Sequence, residues 1–240
     1  MSDEPTNSQP AGGSAVVTEK EPSSFRLIMT LGLAGFFGGL IMVAAYLFTK
    51  PLIEANKAAA IEKAIYKVLP KITSFKTLEL KNGSLQPFDA AAAAKNAATA
   101  EPPKLIYLGL NKAGEPVGYA VLGDEIGFAD VITVIIGYDP VKKTIIGFEV
   151  LECKETPGLG DKIIKDEGFR NNFKSLLTDP DIGFAKKGEK TKENQVEAIT
   201  GATISSKAVI RLLNKAMTEW KGPAEKYLKE NNYTNTAATK

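Results

Sequence analysis

The residues best suited to chemistry form one run, Val196-Glu197-Ala198-Ile199-Thr200-Gly201-Ala202-Thr203-Ile204-Ser205-Ser206. Its hydroxyl side chains, Thr200, Thr203, Ser205 and Ser206, stand directly ahead of Val209, Leu212, Leu213, Ala216 and Trp220, an apolar stripe with helical spacing. Each hydroxyl can cap that helix by accepting one of its free N–H groups. Gly201 permits a sharp turn or a close backbone approach. A helix start with free amides and a positive dipole end suits a phosphate. Taken alone, the run reads as a Thr- and Ser-rich N-cap, which is how helix starts usually look.

A second run lies upstream, Glu155-Thr156-Pro157-Gly158-Leu159-Gly160-Asp161-Lys162-Ile163. By itself it is a Pro-Gly loop. Together the two runs resemble the FMN-binding domain of the G subunit of the Rnf electron-transport complex, a domain shared with the C subunit of the sodium-translocating NADH:quinone reductase. The resemblance spans roughly residues 25 to 220. In that family a flavin transferase joins FMN through its phosphate to the last threonine of a (Ser/Thr)-Gly-Ala-Thr motif, which falls here on Thr203. An acidic residue usually stands three positions before the motif. Here it is Glu197, where Asp is commoner.

The resemblance implies roles for further residues. Thr203 would carry FMN as a phosphoester, with Thr200, Gly201 and Ala202 forming the turn and the Ser205 and Ser206 hydroxyls around the remaining oxygens. Lys207 would be a countercharge, or else an ordinary solvated lysine. Glu155, Thr156, Pro157, Gly158, Leu159 and Gly160 would lie against the flavin ring, with Leu159 as an apolar contact and free N–H groups bonding the ring's heteroatoms. Gly127 and Phe128 match a Gly-aromatic step of the same domain. Cys153 stands where many relatives carry histidine, and its place in a strand suits a small buried hydrophobe.

Composition bounds the chemistry independently. The 240 residues contain no histidine and one cysteine. Histidine-held haem, most zinc sites, His-based acid–base catalysis, iron–sulfur clusters and an intrachain disulfide are thereby excluded. An electron carrier here must be an organic cofactor. No catalytic residue or metal site is expected. The formal net charge of +2, without a basic stripe, gives no sign of nucleic-acid binding. No Gly-x-Gly-x-x-Gly after a strand and no P-loop is present, so the chain reads as an electron relay rather than a complete enzyme.

The elements that must position these residues follow. Residues 1–25, rich in Ser, Pro, Gly and Glu, read as a disordered tail without the basic start of a signal peptide. From Leu27 to Phe48 no residue is charged. At about 1.5 Å per residue this run spans about 33 Å, enough to cross a bilayer core. The span is assigned to 26–49, with Gly32, Gly35, Gly38 and Gly39 giving small-residue faces. Lys50, Lys57 and Lys63 on one side and Lys20 and Arg26 on the other argue slightly against a cytoplasmic N-terminus. The family resemblance implies the reverse: tail inside, large domain extracytoplasmic, in the inner (cytoplasmic) membrane. That orientation is the one expected.

Pro51 is expected to start a separate juxtamembrane helix ending before Pro70, with Ile61, Ile65, Val68 and Leu69 on one face. Residues 50–103 are assigned to that helix and a linker holding a hairpin at Asn82-Gly83 and an Ala-rich insertion over 90–103. Strands are expected over Leu105–Leu110, Val117–Leu122, Val131–Tyr138 and Thr144–Leu151, joined as an antiparallel meander. A helix is expected over Lys162–Leu177, then the Thr203 turn and final helix close an FMN-binding domain over 104–222, with a tail over 223–240. The class is α+β: an N-terminal transmembrane helix, then an antiparallel-rich sheet with helices packed on one side.

The resemblance implies a membrane-anchored flavoprotein subunit of an Rnf-type complex, moving electrons between ferredoxin and NAD while driving Na+ or H+ across the membrane. Its partners would be the other subunits and a flavin transferase. The alternatives are the C subunit of the quinone reductase and a flavin-free membrane-tethered scaffold.

Overall fold

The structure is a computed structural model and describes residues 23–90, 102–231 and 233. The tail expected over 1–25 lies outside the described residues as far as residue 22, as do most of the Ala-rich insertion and the last residues of the chain. The chain divides into two compact units, 1–54 and 55–240.

The described part of the first unit is the apolar part of α1 (Ser24–Val68) with Ser23 before it. Its large apolar side chains, from Phe25 to Phe48, are exposed throughout, and nothing lies within 4 Å of a Cβ built on Gly32, Gly35, Gly38 or Gly39. Its threonines satisfy themselves: Thr30 Oγ1 donates to Arg26 O at 2.8 Å and Thr49 Oγ1 to Ala45 O at 2.9 Å. Such a helix is long and apolar enough to cross a membrane. Pro51 does not start a new helix but lies inside α1. Proline's φ is fixed near a helical value, so the chain passes through it with the loss of one hydrogen bond, and Ala58, Ala59, Ala60, Glu62 and Lys63 carry the helix on.

The second unit holds a seven-stranded sheet among the described residues, ordered β2-β1-β3-β4-β5-β6-β7. Its strands are β1 (Ser74–Lys81), β2 (Ser84–Pro87), β3 (Leu105–Leu110), β4 (Pro116–Ile126), β5 (Val131–Asp139), β6 (Thr144–Cys153) and β7 (Leu176–Leu177), all paired antiparallel. The expected meander is β3 to β6. Its turns are local chemistry: Asn111 Oδ1 accepts from the Ala113 and Glu115 amides at 2.9 Å, and Asp139 Oδ1 from Val141 at 3.0 Å. The Asn82-Gly83 hairpin is also present, with Lys81 opposite Ser84. It belongs to the sheet rather than to a linker, because Leu78 and Leu85 are buried in the main core.

Alternation along the strands sorts the core into two faces. Ile106, Leu108, Tyr119, Val121, Ile132, Val134, Ile136 and Tyr138 join the larger cluster, which the final helix, α4 (Thr203–Glu230), covers with Val209, Leu212, Leu213, Ala216 and Trp220. Full burial of such side chains contributes about 1.5–3 kcal/mol each. Ala120 and Ile135 point the other way, onto Ala64, Ile65, Val68 and Leu69 at the end of α1. Helices therefore cover both faces, not one. The end of α1 packs there because Gly137 and Gly147, opposite one another on β5 and β6, leave room for the Val68 carbonyl: a Cβ would fall 2.1 Å and 2.2 Å from it.

Two boundaries differ from expectation. α4 runs through Pro223 to Glu230, because Trp220, Ala224 and Leu228 continue the buried stripe at four-residue spacing. The segment Lys162–Leu177 is not one helix but α2 (Lys162–Lys165), α3 (Glu167–Asn171), a 3-10 turn (Asn172–Lys174) and β7. Asp166 breaks it: its backbone is extended, and its carboxylate caps α3 by accepting from Phe169 N at 2.8 Å. A small parallel pair, β8 (Gly183–Ala185) and β9 (Gln195–Glu197), then leads into the Thr200 turn.

Candidate functional site

The two runs singled out in the sequence meet in space. One cleft of about 290 Å3 is lined by Phe128, by Glu155, Thr156, Leu159 and Gly160, and by Gly201, Ala202, Thr203, Ile204 and Ser205. The β4–β5 turn supplies the first residue, the loop after β6 the second group, and the entry to α4 the third. Phe128, Leu159 and Ile204 are 66%, 48% and 51% exposed and give the cleft an apolar mouth. Sequence reasoning misses Ile204; its signal is an apolar side chain outside the helix's buried stripe.

The N-cap of α4 is Ala202, whose side chain caps nothing, and Thr203 is the first helical residue. The amides of Thr203, Ile204 and Ser205 thus have no partner within the helix. Thr203 is exposed and lines the cleft, whereas Thr200 is exposed in the preceding turn and does not line it. Gly201 sits at φ +83°, where a side chain is strained, and Leu159 Cδ2 lies 3.5 Å from where its Cβ would be. The turn and the loop are in contact there.

The expected capping serines do something else. Ser206 is fully buried and its Oγ accepts from Ile199 N at 3.2 Å. Ser205 is 2% exposed and its hydroxyl donates to Glu155 Oε2 at 2.6 Å. Neither hydroxyl is turned to the helix's free amides. Lys207 does not line the cleft; its Nζ lies 4.9 Å over the Phe184 ring, a cation–π contact. The Leu159 amide, expected to be free for a ligand, donates to Thr156 O at 3.2 Å within its own loop. Pro157 and Gly158 are exposed at the loop's tip and do not line the cleft. Cys153 is half-buried at the end of β6, packed on the main core as expected, and burial pushes its thiol up.

Glu155 is the centre of the arrangement. The residue is 6% exposed, and its Oε1 accepts from three successive amides, Phe128 at 2.9 Å, Ala129 at 3.0 Å and Asp130 at 3.4 Å. Burial alone raises a carboxyl. Here the bonds from Ser205 and from the Ala129, Asp130 and Phe128 amides outweigh burial and hold Glu155 below the ordinary range. Gly127 and Gly160 make room for it: a Cβ on either would stand 2.3 Å from Oε1 and 2.4 Å from Oε2 respectively. Beside the same turn, Arg211 of α4 donates to Glu125 Oε1 at 3.2 Å and to Ile126 O at 3.0 Å. Glu197 lies outside the cleft, accepting from the Gly188 amide. Among the described residues, no group of three His, Cys, Asp or Glu side chains is arranged to hold a metal.

The uncapped helix entry stands on the wall of an apolar cleft, and residues 127–218 match the family of FMN-binding domains. The Shewanella oneidensis NqrC structure superposes with a TM-score of 0.56 at 19% identity, covering 76% of this chain and all of that one. The C subunit of the Na(+)-translocating NADH-quinone reductase from Parabacteroides distasonis gives 0.53 at 24% identity, covering 70% and 94%. These likenesses show the fold.

Full-length relatives narrow the family. The G subunit of the ion-translocating oxidoreductase complex of Methanosarcina acetivorans is 30% identical over 192 residues, 80% of this chain and 92% of that protein. The G subunit of the proton-translocating ferredoxin:NAD(+) oxidoreductase complex of Clostridium ljungdahlii is 27% identical, over 82% and 91%. That of the Na(+)-translocating ferredoxin:NAD(+) oxidoreductase complex of Acetobacterium woodii is 28% identical, over 83% and 94%. The chain belongs to the family of G subunits of ion-translocating oxidoreductase complexes.

Proposed function

We propose that this chain is the membrane-anchored flavoprotein subunit of an Rnf-type ferredoxin:NAD+ oxidoreductase complex, and that it relays electrons through FMN held as a phosphoester on Thr203. A flavin transferase would make the attachment, and the other subunits of the complex would be its electron donor and acceptor. The observation that carries the reading is the position of Thr203: an exposed hydroxyl residue at an uncapped helix entry, on the wall of an apolar cleft.

The residues present fit the group. The Thr203, Ile204 and Ser205 amides can surround phosphate oxygens at the positive end of the α4 dipole. Phe128, Leu159 and Ile204 offer apolar surface to a flat ring. A cleft of about 290 Å3 is at the small end of small-molecule sites, about 300–1,000 Å3, which suits a ring left partly open to a partner. The bound flavin would supply electron transfer in single or paired steps; the chain's part is to hold and shield it. With Lys207 turned to Phe184, backbone amides carry the anion binding.

Thr203→Val and Thr200→Val, each co-expressed with a flavin transferase, test the attachment by intact mass and in-gel flavin fluorescence. Thr203→Val is expected to show unmodified mass and no fluorescence, while Thr200→Val keeps at least part of both. A fluorescent Thr203→Val chain overturns the assignment. We further propose that the second unit is extracytoplasmic, the orientation the family resemblance implies. Protease added to intact cells should then remove it, and protection until lysis reverses the orientation.

A further inference from the structure

We propose that Glu155 is a positioning residue, whose carboxylate latches the Phe128 turn and the first turn of α4 to one loop and so sets the width of the cleft at Thr203. The latch has two sides. Oε1 takes the Phe128, Ala129 and Asp130 amides, and Oε2 takes the Ser205 hydroxyl. The first group carries the exposed Phe128 ring, and the second belongs to the residue two beyond Thr203. Glu155 itself lines the cleft, and its hydrogen bonds reach lining residues of both walls, Phe128 and Ser205.

A carboxylate suits this task better than a neutral acceptor. Three successive amides converge on one oxygen, a nest that favours negative charge, and bonds to an ionised acceptor are roughly twice as strong as neutral ones. The fit is close, since Gly127 and Gly160 leave no room for Cβ atoms beside the two oxygens. A mere space-filler would not need both glycines and four donors. Arg211 ties α4 to Glu125 and Ile126 at the foot of the same turn, and within the cleft the Glu155 carboxylate sets the spacing of Phe128 from Thr203.

The inference rests on the FMN reading only for its second measurement. The first uses the full-length chain without flavin, in a Thr203→Val background expressed without a flavin transferase, and follows backbone hydrogen exchange. Glu155→Gln keeps the shape and removes the charge. Exchange at Phe128 and Ala129, and at Ser206 in the first turn of α4, should rise about tenfold or more while the centre of β4 stays protected. Ser205→Ala should free the α4 turn and leave Phe128 and Ala129 protected, and Ser205→Thr should restore the α4 turn. That one-sided pattern separates a latch from general loosening. Should Glu155→Gln fail to fold, the Ser205 pair tests the α4 side of the latch.

The second measurement uses flavin-loaded chain with Thr203 restored. Glu155→Gln and Ser205→Ala should change the visible circular dichroism of the flavin while covalent occupancy, read by mass, stays at the parent level. Unchanged exchange at both walls in Glu155→Gln, or unchanged α4 exchange in Ser205→Ala, overturns the latch whatever the flavin does. Absence of flavin on the parent overturns the FMN reading and leaves the exchange result standing.

Discussion

At two places in the second unit an oxygen is held between two glycines, and the two joints are built from different material. At the end of α1 the guest is the Val68 carbonyl, between Gly137 and Gly147. At the cleft the guest is the Glu155 carboxylate, between Gly127 and Gly160. The first guest is main chain. It carries no charge to lose and no torsion of its own by which to withdraw. The second is the end of a side chain, ionisable and hinged at three torsions, with four donors fixing it. The difference separates a permanent joint of main chain, where the end of α1 meets the sheet, from an ionisable one of side chain, at the cleft proposed for the flavin.

The largest effect is expected at the permanent joint. In Gly147→Val the new Cβ meets Val68 O at 2.2 Å and Val68 Cα at 2.6 Å, both backbone, so relief requires the end of α1 to move off the sheet. The contacts of Ile65, Val68 and Leu69 with Ile135 go with it. A loss of about 3 kcal/mol, the upper end of overpacking costs, is expected in denaturant unfolding of the detergent-solubilised chain. The single tryptophan, Trp220, is 4% exposed in the main core and reports the transition. A loss under about 0.5 kcal/mol, the scale of an ordinary surface substitution, would show that the joint is loose.

Gly160→Ala is the matching insult at the ionisable joint, and it should cost less. Its Cβ meets Glu155 Oε2 at 2.4 Å and Ser205 Oγ at 2.8 Å, atoms that can turn away, although Glu155 Cβ at 2.7 Å yields less readily. About 1–2 kcal/mol is expected. Repeating Gly160→Ala in a Glu155→Ala background should recover much of it, and the coupling is the measurement. Additive losses would mean that Gly160 is needed for some reason other than Glu155.

How far these joints could be read from sequence follows the range of the interactions. Turns such as Asn111–Glu115 and Asp139–Lys143 are legible because their hydrogen bonds are local, and the meander because its side chains alternate. The Thr203 turn and the Glu155 loop are legible as motifs. Their bond is not, since Ser205 and Glu155 stand 50 residues apart and nothing in either run names its partner. Tertiary packing also overrides local stop signals: Pro51 and Pro223 both sit inside helices, and Leu78 and Leu85 draw an apparent linker into the sheet. The Asp166 cap is the opposite case, a local signal strong enough to break a stretch with helical spacing.

The pH response separates the two joints next. Glu155 lies below the ordinary carboxylate range in the folded state. Its contribution is then fully present above the unfolded value, near 4.3, and is lost as pH falls through the lowered folded value. Stability of the parent should therefore fall more steeply than that of Glu155→Gln as pH drops from about 5 towards 3. Val68 O does not titrate, so the deficit of Gly147→Val against its parent should stay constant over that range. Parallel curves for parent and Glu155→Gln would remove the charge from the account of the cleft joint.

The smallest effect is expected two residues from Gly160, at Gly158, and it tests whether closeness to the cleft or contact with Glu155 decides the outcome. Gly158 holds φ +77°, but nothing lies within 4 Å of a Cβ built on it. Alanine there meets no neighbour, so the cost is the conformational one of a left-handed backbone, about 1 kcal/mol. The loop carries that strain at its exposed tip, while the Glu155 bonds to Ser205 and to the Phe128 turn lie below it. Hydrogen exchange at Phe128 and Ala129 should match the parent in Gly158→Ala and exceed it in Gly160→Ala. Flavin occupancy, on the proposal that Thr203 carries FMN, should stay at the parental level in Gly158→Ala, because the Thr203 turn is on another element. If Gly158→Ala loosens the Phe128 turn as much as Gly160→Ala does, the loop acts as one strained unit and the carboxylate latch is not what holds the cleft.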